Sequence, residues 1–304
     1  MVAGFRRSIS FPGQNPSSPG PKGRRPPEKV CHVRSTSLPC RSHPAIAGLE
    51  DEIRALRAWL SLPAPESGSP TWISTGLARI DLLHASLDDL LHVPQAQDTL
   101  RRHSSARWTD RLLDDFLRFA DAYGSLRSTL MSLKQTQSEL HTAIRRRDEA
   151  RLASSLRSQK RIEKDLAKLA VSIREASRSP APALAADAAE VELAGIMREV
   201  TAVSVAASAA VFLGIGAVSS TASAAVAAST SRASYWVVAP LRKLSLSQSS
   251  SLKKRDWEEW DDGVLERLEA LEECIEALES KSERVFRSLV NTRVLLLNIL
   301  TPSL

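Results

Sequence analysis

Two long stretches of this chain repeat apolar residues every three or four positions without a proline, and this spacing restricts them to helices. Residues 108–177 carry the repeat on both sides of a charged cluster at residues 145–149. Residues 264–289 carry the most regular repeat, typical of a coiled coil or of the seam of an antiparallel bundle. Only 5% of the residues are aromatic and no strand pattern is convincing, so we predict an all-α protein, a bundle of long antiparallel helices.

Three further helices and three polar linkers are also predicted. Apolar spacing predicts a helix from residue 45 to about residue 60, a second helix capped by Thr71, and a short third helix from Pro94 to about Arg102. Residues 45–304 are therefore predicted to form one helical domain. Its polar linkers are expected near residues 62–70, 178–186 and 241–255.

The first 44 residues differ from the rest of the chain in composition and charge. They are rich in Pro, Ser, Gly and Arg and lack apolar periodicity, so we predict a disordered tail. Residues 1–47 carry eight Lys and Arg against one acidic residue, Glu28, which makes the tail the basic part of the chain. Ser- and Arg-rich, acid-poor composition is also typical of organelle transit peptides, which leaves a plastid location open.

Two copies of one short motif lie in this tail, and both read Arg-Ser-x-Ser-x-Pro. The pattern resembles the phosphoserine motif bound by 14-3-3 proteins, because a phosphate on the second serine adds close to two negative charges that an arginine cluster can bind. Two copies suit a dimeric reader, since a tether makes the second contact intramolecular. Chance occurrence in a segment rich in Ser, Arg and Pro stays the alternative. The candidate phosphosites are Ser10 and Ser37, and the other motif residues are Arg7, Pro12, Arg34 and Pro39.

Side chains with catalytic or metal-binding chemistry are scattered along the sequence. The histidines of the predicted helices lie on separate segments without a nucleophile arrangement, so we expect no catalytic residue, no cofactor and no enzymatic activity. Cys31, His32, Cys40 and His43 offer zinc donors, but their spacing matches no common zinc finger, so no metal site is expected. We also find no basic stripe with interleaved aromatic residues, and therefore expect no nucleic acid partner.

The segment from Val200 to Ser231 contains no charged residue and is rich in Ala, Val and Ser. It is long enough to cross a bilayer, but only residues 203–218 are strongly apolar. We predict a buried central helix, with membrane association through residues 203–218 as the alternative. A helix partner would approach the small residues Ala202, Ala206, Ala210 and Gly214.

The cysteine count bears on the cellular location. Three cysteines cannot all pair, and none has the short spacing of a redox pair, which argues against a disulfide scaffold and favours a reducing compartment. We therefore expect an intracellular protein of the cytoplasm, with a plastid or membrane-associated location as the alternatives left open.

Three stretches together carry a resemblance to a known family. They are residues 34–44 (RSTSLPCRSHP), residues 88–97 (DDLLHVPQAQ) and residues 286–300 (FRSLVNTRVLLLNIL). Over residues 31–304 the chain resembles the plant-specific Bypass-related family. This resemblance implies a helical plant protein without assigned enzymatic activity, with relatives that affect root and shoot development by restraining a mobile growth-arresting signal. We therefore expect a non-enzymatic regulatory or interaction protein, and no catalytic residue carries over.

The last of these stretches also has a physical interpretation of its own. Its apolar residues cover nearly every side of the helix, which predicts burial against several other helices.

Overall fold

The computed structural model describes the backbone of residues 44–62, 69–176, 188–237 and 249–301, and the side chains of residues 44–62, 69–175, 188–227 and 268–301. Within these ranges the chain is helical and contains no strand, so the all-α prediction is confirmed. The helices are α1 (Pro44–Leu60), α2 (Pro70–Leu91), α3 (Pro94–Arg102), α4 (Arg107–Arg146), α5 (Glu149–Ala176), α6 (Ala188–Val237) and α7 (Ser249–Leu300).

The long helices pack side by side as an antiparallel bundle. α4 packs against α5 on one flank and against α7 on another, and α6 packs against α5 and α2. Two ion pairs show that α7 runs antiparallel to α4. Arg127 contacts Glu283 at 3.1 Å, and Lys134, further along α4, contacts Glu276, which lies earlier in α7, at 2.7 Å. The regular repeat of α7 therefore pairs within the chain, as the seam of an antiparallel bundle.

α6 lies in the core of this bundle, as the uncharged segment predicted. Between residues 203 and 215 most of its side chains are buried. They include Val203, Val205, Ala207, Ala209, Val211, Phe212 and Ile215.

The predicted stripe of small residues on α6 is only partly a packing surface. Gly214 lies against α2, where a methyl group in its place would sit 3.0 Å from Ile73 Cγ1. Ala202 is exposed, so the prediction is wrong at this position, whereas Ala206 and Ala210 are half-buried and Ala210 packs against the main core. The close approach of α2 and α6 depends on Gly214.

The charged cluster at residues 145–149 is a break between two helices. α4 ends at Arg146, its cap residue Arg147 has a φ of 53° in the left-handed region, and α5 begins at Glu149. The Asp148 amide donates to the Ala143 carbonyl at 3.0 Å, which satisfies one of the last carbonyls of α4. The long proline-free stretch therefore forms a hairpin of two helices.

Two predicted boundaries are wrong. Ser69, rather than Thr71, caps α2, because the Trp72 amide donates to Ser69 Oγ at 3.1 Å and Pro70 occupies the first turn. The predicted linker at residues 241–255 is too long, since α7 already begins at Ser249. Serines are favoured at helix starts, and the serine run there begins the helix rather than a loop.

The remaining predicted boundaries fall where little is described. Residues 63–68 and 177–187, which hold most of the linkers predicted near 62–70 and 178–186, lie outside the described residues. So do residues 1–43 of the predicted tail, while Pro44 already belongs to α1.

The C-terminal end of α7 is fully buried along one face, with Phe286, Leu295 and Leu300 half-buried against the core beside it. Leu289, Leu296 and Ile299 are at most 3% exposed and belong to the main hydrophobic core. Val294 is 48% exposed, so the prediction of burial nearly all round is wrong at this position. A single helix face of α7 therefore closes this end of the bundle.

Two stacked tryptophans join α1 to α2. The Trp59 and Trp72 rings lie 4.1 Å apart between centroids, and Trp59 Nε1 donates to the Trp72 carbonyl at 3.0 Å. Gly76, one turn along α2 from Trp72, leaves the space that the Trp59 ring fills, because a methyl group at Gly76 would overlap that ring. Glycine is the residue that this contact requires.

We expect Gly76→Ala to destabilise the protein by about 1–2 kcal/mol, because overpacking a core outweighs the better helix propensity of alanine. Gly48→Ala in α1 is the matched control, since no atom lies within 4 Å of the methyl group it would add. The Gly48→Ala change is expected to stabilise the folded protein by about 0.5–1 kcal/mol. Urea unfolding of both variants checks the opposite signs, and a stabilised Gly76→Ala would contradict the packing of Trp59.

Candidate functional site

A polar cluster lies at the centre of the bundle, where α2, α4 and α6 meet. Ser204 Oγ lies 3.3 Å from His84 Nε2, and Ser208 Oγ lies 3.1 Å from the Tyr123 hydroxyl oxygen. The two serines are four residues apart on α6 and share one helical face. Their short side chains leave room for His84 and Tyr123 to reach α6. Two hydrogen bonds thus connect three helices in the core.

Aromatic rings surround this polar cluster. Phe116 and Phe119 meet the His84 ring edge-on at centroid distances of 5.7 and 6.5 Å, and Phe212 meets Tyr123 at 5.5 Å. Burial lowers the pKa of His84 to about 4, so its imidazole is neutral at neutral pH. The Nδ1 atom of His84 is buried without a hydrogen-bond partner. The free-energy cost of protonating this ring in the folded state is therefore large.

Ser204 and His84 have the chemistry of a nucleophile and its base, but neither side chain is accessible to a substrate. Both side chains are 1% exposed, and neither of the two grooves described below includes them. Burial also raises the pKa of Tyr123, which keeps its phenol protonated, although the hydrogen bond with Ser208 acts in the opposite direction. The geometry supports a structural role, in which the polar groups fix how the three helices align.

A second buried contact ties the start of α6 to the segment between α3 and α4. Trp108 Nε1 donates to Glu190 Oε1 at 3.0 Å, and His103 Nδ1 lies 3.4 Å from Glu190 Oε2. The Glu190 side chain is buried, so it requires such polar partners. This contact positions the first turn of α6 against the start of α4.

The remaining histidines of the described residues, other than His103, lie elsewhere on the bundle. His92 Nδ1 lies 2.8 Å from a backbone carbonyl at the end of α2, and His141 on α4 is 3.9 Å from Glu269 on α7. In the described part of the chain, no group of three or more His, Cys, Asp or Glu side chains could hold a metal ion. The structure therefore brings none of the four histidines within its described ranges together.

Two surface grooves follow α4 and α5. The larger, of about 470 Å³, lies between the two helices and includes Arg111 and Arg118, which both contact Asp115 at 3.0 and 3.7 Å. Burial raises the pKa of Asp115, and the two guanidinium groups partly offset this effect. The smaller groove, of about 400 Å³, lies near the hairpin and includes Glu139 and Arg151. Each groove mixes both signs of charge, which favours no single ligand class.

The predicted phosphorylation motifs lie outside the described residues. They comprise Ser10, Ser37, Arg7, Pro12, Arg34 and Pro39, and they stay predictions.

Sequence reasoning missed the core polar pairs. Ser204 and Ser208 are spaced four residues apart, which is a usable signal for one helical face. Nothing in the sequence identifies their partners, because His84 and Tyr123 lie 120 and 85 residues away.

One described helix is long and apolar enough to cross a membrane by length and composition alone. It is the stretch Ala188–Ala227 of α6, and 67% of its most apolar window is buried inside the bundle. The core helix of a soluble protein has the same properties.

Comparison with protein families gives a match. The family model described as Protein BPS1 matches residues 76–299, from the first half of α2 to the last turn of α7. Residues 88–97 and nearly all of residues 286–300, which carry two parts of the sequence resemblance, lie inside this match. Neither the comparison with curated proteins nor that with solved structures found a match. Because the family match covers well over half of the chain, the chain belongs to the BPS1 family.

Proposed function

We propose that this protein is a non-enzymatic regulator of plant development, in which the helical bundle is a scaffold and the phosphorylated tail binds 14-3-3 proteins. Membership of the BPS1 family indicates a plant regulatory protein of unknown biochemical function. The involvement in root and shoot development follows the resemblance to Bypass-related proteins. The observation that carries the partner assignment is the pair of Arg-Ser-x-Ser-x-Pro motifs around Ser10 and Ser37.

The attachment of the tail to the bundle supports this proposal. α1 begins at Pro44, only seven residues after Ser37, and Ile46 and Leu49 are buried in the main core. The motifs are therefore tethered to a firmly packed helix. A partner that binds both phosphoserines would be held beside the bundle.

The spacing of the two motifs suits a reader with two sites. Ser10 and Ser37 are 27 residues apart in the sequence. With the disorder that the sequence predicts for the tail, the two serines would have a root-mean-square separation of about 30 Å. Each motif raises the effective concentration of the other, so two weak contacts combine into tighter binding.

The non-enzymatic part of the proposal rests on the core geometry. The Ser–His pair of the described residues, Ser204 with His84, is enclosed by aromatic rings. The scaffold would act in the cytoplasm, where a reducing environment matches the cysteine content.

We expect the double variant Ser10→Ala, Ser37→Ala to lose 14-3-3 proteins in a pull-down from plant extract. Each single variant should weaken binding by on the order of a hundredfold, because it removes the second, tethered contact. Phosphatase treatment of the wild-type protein should have the same effect as the double variant, because phosphate supplies the charge that is bound.

The matched control replaces the first serine of each motif, as Ser8→Ala with Ser35→Ala. It changes the same number of serines in the same tail and should keep 14-3-3 binding. Unchanged 14-3-3 recovery with the Ser10 and Ser37 double variant would refute the proposed partner. Equal loss in both double variants would assign the effect to the tail composition instead of the phosphosites.

A further inference from the structure

One face of α5 carries a row of exposed basic side chains. Starting from Arg157, basic residues follow at three, four, seven and eleven positions along the helix, a spacing that places them on one side. We call this row the basic face. Its members are Arg157, Lys160, Arg161, Lys164 and Lys168, and all are exposed.

Most cations of the basic face have no acidic partner. Lys168 contacts Asp165 at 2.9 Å, but Arg157, Arg161 and Lys164 make no ion pair with any described residue. Lys160 also makes none, although burial raises the pKa of Glu163 and the nearby Lys160 ammonium offsets part of that rise. By contrast, Lys134 on α4 contacts Glu276 on α7 at 2.7 Å. The basic face therefore keeps its charge available to a partner.

The charge of the sequence around the basic face differs from the charge of α7. Residues 145–175 contain ten Lys and Arg against five Asp and Glu, whereas residues 268–287 of α7 contain six Asp and Glu against three Lys and Arg. α4 packs against both helices, and α5 makes no substantial contact with α7 in the described residues. The acidic residues of α7 therefore do not neutralise α5, and the bundle has a basic side and an acidic side.

Exposed aliphatic side chains accompany the cations. Val171 is 50% exposed and lies seven residues beyond Lys164, on the same side of α5. The neighbouring helix α6 runs antiparallel to α5, since Gln159 Nε2 donates to the Ser219 carbonyl at 2.9 Å and Leu166 lies opposite Gly216. This register brings the second half of α5 alongside the part of α6 where Leu213 is 42% exposed.

The composition of this side favours lipid over nucleic acid. Residues 145–175 contain no aromatic residue, so they offer no surface on which bases could stack. Basic residues interspersed with exposed aliphatic side chains suit a bilayer surface, where the cations meet anionic headgroups and the aliphatic groups reach the acyl boundary.

We propose that the basic face of α5 docks the folded protein on the surface of an anionic lipid bilayer. The contact is peripheral: α6 stays in the core, and no helix crosses the membrane. It is independent of the tail motifs, so it and the 14-3-3 proposal can fail separately. Phosphorylation of the tail and docking through α5 would involve different surfaces of one scaffold.

Vesicle co-sedimentation of the full-length protein tests this docking. The vesicles are phosphatidylcholine alone, or phosphatidylcholine with about a third phosphatidylserine. At physiological salt the wild-type protein should sediment with the phosphatidylserine vesicles and not with phosphatidylcholine. The variant Arg157→Gln, Lys160→Gln, Arg161→Gln, Lys164→Gln should bind on the order of a hundredfold more weakly, because each basic residue near the surface contributes to the attraction.

The basic tail supplies a matched control. The variant Arg6→Gln, Arg7→Gln, Arg24→Gln, Arg25→Gln removes the same charge from the tail and should keep most of the binding. An unchanged circular dichroism spectrum shows that the α5 variant is folded, as expected for substitutions at exposed positions.

Three outcomes would overturn the proposal. The wild-type protein could fail to sediment with either kind of vesicle. Binding to polyuridylate RNA in place of the vesicles would count as the same outcome. The tail variant could lose as much binding as the α5 variant, which would mean that net charge alone is responsible. The folded α5 variant could bind phosphatidylserine vesicles as well as the wild-type protein does.

Discussion

Deletion of residues 286–304 is expected to leave the protein insoluble. The deletion removes Leu289, Leu296 and Ile299, which α7 buries in the main core. Loss of one such side chain costs about 2–5 kcal/mol, and domains have only about 5–15 kcal/mol of total stability. The facing surfaces of the other helices would also be exposed to water. Expression followed by separation of soluble and insoluble fractions measures the effect.

Two neighbouring substitutions isolate burial from chain length. Leu296→Asp places a carboxylate at a position that is 0% exposed, while Val294→Asp places it two residues earlier at a position that is 48% exposed. We expect the first variant to be insoluble and the second to resemble the wild-type protein, because an unpaired buried charge is very costly. A soluble, helical truncation, or equal behaviour of the two variants, would refute the packing of α7.

The folded protein is expected to lose about 3 kcal/mol of stability as the pH falls from about 6.5 to about 4, through His84 alone. The pKa of its imidazole drops from 6.5 to about 4 on folding, because burial disfavours the charged form. Between these values the unfolded chain binds a proton that the folded protein does not bind. The unfolded state is therefore favoured as the pH falls, and the full contribution is present only above about pH 6.5.

Comparison with His84→Leu separates this effect from the titration of carboxyl groups, which both proteins share. Urea unfolding at pH 7 and pH 4.5 should show a larger loss of stability for the wild-type protein than for the variant. An apolar side chain fits among Phe116 and Phe119, so the variant should fold at both pH values. An equal pH dependence of the two proteins would place His84 in contact with water.

The sequence predicted the helices well because their apolar spacing is a local property. The faces of α1, α2 and α4 follow directly from residues three or four positions apart, whereas the hairpin at the charged cluster before α5 was not predicted. Cap positions were less certain, as Ser69 and Thr71 have similar capping chemistry and only Ser69 lies at the observed boundary.

The pairing of helices could not be predicted in the same way. An apolar face indicates that a helix is buried, but it does not identify the helix that covers it. The hydrogen bond of His84 with Ser204 depends on such long-range pairing. The basic face of α5 also needed the structure, because its separation from the acidic residues of α7 is a property of the bundle.

The location of α6 distinguishes the two interpretations of this chain, a helical bundle with α6 in its core and a protein anchored in a membrane by α6. As a core helix, it supplies Ser204 and Ser208 to the polar cluster and Phe212 to the aromatic packing around Tyr123. As a membrane span, it would remove these side chains from α2 and α4 and leave His84 without its partner. The two interpretations therefore exclude each other for this segment.

Alkaline carbonate extraction of membranes from cells that express the full-length protein tests the account most directly. High pH strips peripheral proteins, whose contacts with the bilayer are electrostatic, and leaves proteins with a membrane-spanning helix in the pellet. Because α6 lies in the core and the basic face of α5 binds only the lipid surface, we predict complete release into the supernatant. Retention in the pellet together with an integral membrane marker would contradict a bundle built around α6.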